Sequence, residues 1–253
     1  MAIIRLDHTA QTTKVILPLN IILPDPGKMN GIPVRKRKVL YLLHGLSDDA
    51  SAWQRFSSVE ILARDYGLIV VMPSVGRSFY TDMPNGQKFF SYIMEELPQY
   101  LSDVFDLAPS REDTLIAGLS MGGYGALKAA LLYPERFCAA GSFSGAISLA
   151  LLAARTDDPR YPEFTSVFGD LSRLEGSVHD PMVWLKNAAA NPGLLPKLYV
   201  SCGKQDDLLM LNRLFQKQCE SLGIPLEYHE EEGTHDWPFW DRQIAEFLKF
   251  ALG

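Results

Sequence analysis

The sequence predicts an α/β fold, a mainly parallel central sheet with helices on both faces. Three observations carry that expectation. Short, wholly apolar runs such as residues 39–43 and 68–72 alternate with stretches of helical periodicity such as 59–66 and 208–222, and a strand that is apolar at every position is one covered on both faces. The pentapeptide Gly118-Leu119-Ser120-Met121-Gly122 stands between an apolar run at 114–117 and an Ala/Leu-rich stretch at 124–132, which makes strand, sharp turn and helix. The chain has 253 residues, the size of one large α/β domain, and can bury roughly three quarters of its unfolded surface.

The elements follow in order. Residues 14–23 alternate and then run apolar, a strand that Pro18 places at a sheet edge. Asp25-Pro26-Gly27 and Asn30-Gly31 mark turns. The strand at 39–43 is followed by a helix at 59–66 closed by Gly67, and by a strand at 68–72 ended by Pro73. Residues 89–105 have helical periodicity despite Pro98, and 114–117 is the strand before the pentapeptide. A helix at 124–132 stops at Pro134, and 138–143 is a short strand. A strand at 198–202, a helix at 208–222, a strand at 226–230 and a helix at 242–252 complete the series. Strands alternating with helices imply a mainly parallel sheet, and the absence of repeats and linkers implies a single domain over 1–253. One segment breaks the alternation. Between 146 and 196 there is no clear buried strand, and Pro159-Arg160-Tyr161-Pro162, Asp180-Pro181 and Asn191-Pro192-Gly193 suggest short helices and loops. It lies on the side where the residues of the Ser120 turn emerge, so we expect a small cap insertion, with a plain surface insertion as the alternative.

Composition narrows the function. A hydrophobic fraction of 47% and 21% charged residues are ordinary globular values. A formal net charge of −6 argues against nucleic acid or an anionic membrane surface as partner, and the one basic run, Arg35-Lys36-Arg37-Lys38, precedes an apolar strand as a solvated loop would. Cys138, Cys202 and Cys219 are odd in number and form no C-x-x-C pair, which fits free thiols in a reducing compartment. The first residues lack a signal-peptide apolar core and no stretch is long enough to span a bilayer, so a cytoplasmic protein is expected. No H-E-x-x-H, cysteine cluster or phosphate-cradling glycine loop is present, so neither a metal nor an organic cofactor is expected.

The pentapeptide is a G-x-S-x-G in the context that gives it chemical meaning. In a nucleophile elbow the residues two before and two after the serine crowd its backbone, so both must lack side chains, and Gly118 and Gly122 meet that demand. Ser120 needs a base, and the base needs a carboxylate to orient it. In the α/β-hydrolase arrangement these arrive in the order Ser, acid, His, on loops after later strands. Of the five histidines, His8 precedes the sheet, His44 belongs to an early loop, His179 sits in the segment expected as a cap, and His229 falls inside a strand. Only His235 follows the last strand, which makes it the candidate base. The loop after residue 202 offers Asp206 and Asp207, one of them a helix-capping residue; Asp236, beside His235, is a weaker rival. The oxyanion hole requires two backbone N–H groups. Met121, after the nucleophile, supplies one, and the turn His44-Gly45-Leu46 after an early strand supplies the other at Leu46.

These segments together resemble the esterase D family of α/β hydrolases. The likeness is carried by Leu43-His44-Gly45-Leu46 with Trp53 downstream, by the elbow extended to Ala126, by Cys202-Gly203-Lys204-Gln205-Asp206, and by Gly233-Thr234-His235-Asp236-Trp237 with Trp240. It runs from about residue 39 to the C-terminus, is weakest over 149–195, and is greatest toward small bacterial tributyrin (acetyl) esterases. The resemblance implies that the acid is Asp206. It implies a serine carboxylesterase for short-chain acyl esters, acetyl to butyryl, acting on a small-molecule ester without cofactor, in a chain that can form homo-oligomers. S-formylglutathione hydrolases of the same family usually carry a histidine where this chain has Tyr124, which disfavours that thioester. Feruloyl or acetylxylan esterase activity is a further alternative, for which Trp53, Tyr80, Trp237 and Trp240 are candidates to stack on substrate. A catalytically dead binding protein of the same fold is the non-enzymatic alternative; it has no need of Ser120, Asp206, His235 and the Leu46 turn together.

Overall fold

The computed structural model describes residues 1–25, 31–149, 154 and 156–253. Eight strands form one sheet: β1 (Ala2–Ala10), β2 (Val15–Leu23), β3 (Val39–Leu43), β4 (Ile69–Pro73), β5 (Thr114–Leu119), β6 (Ala139–Phe143), β7 (Lys197–Gly203) and β8 (Glu227–Glu231). Their spatial order is β1-β2-β4-β3-β5-β6-β7-β8. β2 runs antiparallel to both its neighbours, and every pairing from β4 to β8 is parallel. Strand alternation sorts the core into two layers. Val39, Tyr41 and Leu43 face one layer with helices α4 (Leu97–Phe105), α5 (Met121–Leu132) and α8 (Leu209–Ser221), while Leu40 and Leu42 face the other with α2 (Val59–Tyr66) and α9 (Trp237–Leu252). Among the described residues no helix is long and apolar enough to cross a membrane.

Most sequence-derived elements fall within two residues of their expected bounds, and the departures have physical causes. β1 was not anticipated: its residues alternate in burial along an exposed edge, and Arg5, Asp7 and His8 dilute its apolar signal. His8 therefore lies inside the sheet rather than before it, its Nε2 2.7 Å from the Tyr92 hydroxyl. Pro18, expected at an edge, is in the second strand, opposite Asp7. It is tolerated because the inner ladder to β4 begins only at Leu19. A short helix α1 (Ala52–Phe56) was also not anticipated. Pro98 is accommodated in the first turn of α4, directly after a π turn at Tyr92–Glu96 that continues from α3 (Phe89–Ser91). α9 begins at Trp237, ahead of the expected 242, because the Asp236 carboxylate caps it, accepting from Phe239 N–H at 3.1 Å. The turn expected at Asp25-Pro26-Gly27 and Asn30-Gly31 lies largely outside the described residues.

The described part of 146–196 includes α6 (Tyr161–Phe168) and α7 (Pro181–Ala189). Asp180 caps α7 by accepting from Met182 N–H at 2.9 Å, with Pro181 at its first position. Trp184 of α7 meets Tyr124 of α5 edge to face at 5.1 Å, and α6 sets Phe164 against Phe79, 5.7 Å between ring centres.

Candidate active site

β5 ends in a sharp turn at Ser120 that leaves no room for a side chain at Gly118 or Gly122. Ser120 has φ 51° and ψ −116°, a left-handed strain costing about 1–3 kcal/mol. The close approach around it explains both flanking glycines: a Cβ at Gly118 would lie 2.5 Å from the Gly122 carbonyl, and one at Gly122 would overlap the Leu43 carbonyl of β3. The strain is held by hydrogen bonds on both sides of the residue. Ser120 N–H donates to Phe143 O at 2.9 Å, and Ser120 O accepts from Tyr124 N–H and Ala146 N–H at 3.1 Å each.

The turn aims the Ser120 hydroxyl at His235, whose Nε2 is 3.0 Å from Oγ. His235 Nδ1 is 2.9 Å from Asp206 Oδ2. The loops bearing these two residues interlock: Gln205 N–H donates to Gly233 O at 3.0 Å, Gly233 N–H returns a bond to Gln205 Oε1 at 2.9 Å, and a Cβ at Gly203 would overlap Gly233 O. The Asp206 side chain has no exposure, against 36% for His235. Burial opposes its charge, but hydrogen bonding and attraction from His235, with a bond from Leu208 N–H, outweigh this and hold its pKa below the ordinary carboxylate value. Asp206 thus also caps the turn into α8, its Oδ1 accepting from Leu208 N–H at 2.8 Å. The orienting and capping carboxylates, expected to be different residues, are the same one. Asp207 is exposed, and Asp236 is occupied by Phe239 N–H and the Thr234 hydroxyl.

Leu46 and Met121 flank Ser120, and neither N–H has an acceptor among the described residues. The direction of the Leu46 N–H follows from His44. Val75 N–H donates to His44 Nε2 at 3.1 Å, so the ring proton is on Nδ1, which donates to Gly45 O at 2.7 Å. Burial, against weaker pull from Gly45, Asp48 and Asp49, lowers the His44 pKa and keeps the ring neutral. Because the Gly45–Leu46 peptide is trans, its N–H points opposite to the carbonyl that His44 holds. The sequence sets His44 in the turn before Leu46 but gives no sign of its bond to Gly45 O.

A cleft of about 340 Å³ opens over Ser120, walled by Leu46, Phe79, Ala146, Phe164, Leu208 and Leu211, with Arg160 and Asp207 also on its lining. A larger cavity of about 590 Å³ lies beneath the π turn, around Ile93 and Arg136, and contains none of these residues. Trp53, Tyr80 and Trp237 do not line the cleft, which corrects their expected place on the substrate. Trp53 and Tyr80 are each 1% exposed. Their polar ends satisfy carbonyls at the end of β3, Trp53 Nε1 donating to Leu43 O at 2.9 Å and Tyr80 Oη to His44 O at 3.0 Å. Trp237 packs edge-on against Trp53 and Trp240, and Trp240 against the His235 ring. The aromatic wall of the cleft comes from Phe79 and Phe164, which the sequence did not single out.

A protein-family model described as putative esterase matches residues 11–251. The chain belongs to this esterase family. It is 32% identical over 246 residues to an acetyl esterase of Caldicellulosiruptor saccharolyticus, a match spanning 95% of this chain and 92% of that protein. Among solved structures it resembles the fluorophosphonate-binding serine hydrolase FphF of Staphylococcus aureus, with 33% identity, a TM-score of 0.89 and coverage of 100% of this chain and 98% of that one. It also resembles the S-formylglutathione hydrolase FrmB of Staphylococcus aureus, with 33% identity, a TM-score of 0.88 and coverage of 100% and 99%. The esterase has the α/β-hydrolase fold and is a carboxylic ester hydrolase of the serine type, in agreement with the esterase D resemblance of its motifs.

Proposed function

We propose that the esterase hydrolyses short-chain acyl esters, acetyl to butyryl, through an acyl-enzyme. Ser120 Oγ attacks the carbonyl carbon while His235 takes its proton; the tetrahedral oxyanion is held by Leu46 and Met121 N–H; His235 then gives the proton to the leaving alcohol as the C–O bond breaks. Water, activated by the same imidazole, releases the acid and restores Ser120. Asp206 fixes the imidazole tautomer and stabilises the imidazolium. The observation that carries this reading is the unbroken line from Asp206 through His235 to Ser120, at 2.9 and 3.0 Å, ending in the cleft. A cleft of about 340 Å³ closed by Phe79 and Phe164 favours short acyl groups, a volume near the lower end of about 300–1,000 Å³ for ligand sites. The name of the acetyl esterase relative points the same way. We further propose a single-domain, cytoplasmic enzyme in which the α6–α7 region acts as a small cap, with self-association open to it.

The FrmB likeness supports a second reading, hydrolysis of S-formylglutathione by the same residues. Rates on p-nitrophenyl esters from acetyl to decanoyl, alongside S-formylglutathione and methyl ferulate, decide between them. The first reading expects kcat/KM to peak between acetyl and butyryl and to exceed that for S-formylglutathione; the reverse order supports the second.

A further inference from the structure

The loop after β4 holds two bulky residues in a conformation that bulky residues avoid. Phe79 and Tyr80, at φ 50° and 49°, are consecutive left-handed residues, a conformation in which the Cβ crowds the following carbonyl oxygen. Such strain persists only where the surroundings over-determine it, and α5 does so with three contacts. Phe79 N–H donates to Met121 Sδ at 3.3 Å. The Tyr80 ring lies on Gly125, where a Cβ would come within 2.6 Å of it. Lys128, 1% exposed, donates from Nζ to Thr81 Oγ1 at 3.0 Å and reaches Tyr80 O at 3.4 Å, with the Phe90 ring 4.4 Å from the ammonium. Burying an ammonium to bind two oxygens of one loop is costly compared with filling the same space with an apolar side chain.

What the braced pair delivers lies on the cleft side. Phe79 forms cleft wall, and Tyr80 reaches from its fixed backbone to donate its hydroxyl to His44 O at 3.0 Å. The His44 imidazole holds the next carbonyl, Gly45 O, at 2.7 Å. Two successive peptides of the turn are thereby held, one by the Tyr80 hydroxyl and the next by the His44 ring. We infer that Tyr80, braced by Lys128, is a positioning residue for ester hydrolysis: its hydroxyl fixes the His44–Leu46 turn so that Leu46 N–H is already aimed where the oxyanion forms. The inference rests on Leu46 being an oxyanion donor, as proposed above. Hydrogen bonds weaken steeply as the donor angle falls toward about 120°, so loosening the turn removes transition-state stabilisation while leaving ground-state binding in place.

Tyr80→Phe keeps the ring on Gly125 and deletes only the hydroxyl. We expect kcat to fall about tenfold, a fraction of the 10²–10³ that follows complete loss of an oxyanion donor, with KM within about twofold of the parent. Affinity for a trifluoromethyl ketone, which adds to the serine as a tetrahedral oxyanion, should fall by the same factor, and affinity for a non-reacting competitive inhibitor should hold. Lys128→Met should show the same pattern more weakly. Melting curves come first, and if Tyr80→Phe does not fold, the two affinities in Lys128→Met decide the question. A folded variant with unchanged kcat and ketone affinity overturns the inference, as does equal weakening of both inhibitors, which signals general distortion. Were the parent enzyme itself to bind no ketone and cleave no ester, the proposed function would fail instead.

Discussion

Ser120, His235 and Asp206 differ in how openly the sequence displays them. A serine at φ 51° needs glycine on both sides for steric reasons, so the elbow is written into the pentapeptide, and His235 is the one histidine placed after the last strand. Asp206 and Asp207 are indistinguishable by spacing, because one register step in a loop decides which carboxylate turns inward; in the structure Asp206 meets His235 and Asp207 is exposed. Asp206→Asn is expected to lower kcat by up to about 10⁴-fold, since an amide can neither stabilise the imidazolium nor enforce the right tautomer, while Asp207→Asn stays within about tenfold. Steady-state kinetics on both variants checks this, and a crippled Asp207→Asn with an active Asp206→Asn would move the acid by one residue. The oxyanion donor proposed at Leu46 is a backbone group, so Leu46→Ala should keep kcat within about tenfold, whereas Leu46→Pro, which removes the N–H, should cost about 10²–10³. Circular dichroism must show the proline variant folded. Trp53 and Tyr80 were misplaced because an aromatic residue near a motif does not reveal which way it faces, and here carbonyls at the end of β3 claimed both.

At the level of elements, the buried parallel strands were legible because both their faces are apolar, and the antiparallel edge was not: β1 has one exposed face and a mixed sequence. The sequence of α5 was legible as a helix, but not the lysine buried within it. Burial, only partly offset by Asp82, lowers the Lys128 pKa from 10.5 to about 7. Between those values the unfolded chain binds more protons than the folded one, so this group makes stability rise with pH from about 7 to about 10.5. Asp82 and His179 line the space beside the ammonium and Tyr124 lies under it; none reverses that sign. Lys128→Met removes this dependence. We expect the difference in unfolding free energy, variant minus parent, to be largest near pH 7 and to shrink as pH rises, on top of a constant offset from the lost bonds to Tyr80 and Thr81. Denaturant titrations at several pH values measure it, and a difference independent of pH between 7 and 10 would contradict a depressed lysine.

For the whole molecule, the cleft is assembled from distant parts of the chain. Phe79 packs edge-on against Phe164 and Phe168 of α6, and Arg77, which also reaches Leu46 O at 3.4 Å, pairs with Glu163 of that helix. The segment that the sequence leaves least defined thus contributes Phe164 and Arg160 to the cleft lining. Phe164→Ala should lengthen the accepted acyl chain, raising the ratio of hexanoyl to acetyl kcat/KM about tenfold through space worth roughly 1–3 kcal/mol per methylene-sized step; an unchanged ratio would place the acyl group elsewhere. The proposed mechanism as a whole turns on one activated serine. Its most direct test is exposure of the intact enzyme to a fluorophosphonate, followed by whole-protein mass and peptide mapping. We expect one equivalent to add, at Ser120, with no addition to Ser120→Ala and strongly slowed addition to His235→Ala. A parent enzyme that stays unlabelled, or a label that persists on another residue in Ser120→Ala, would contradict it.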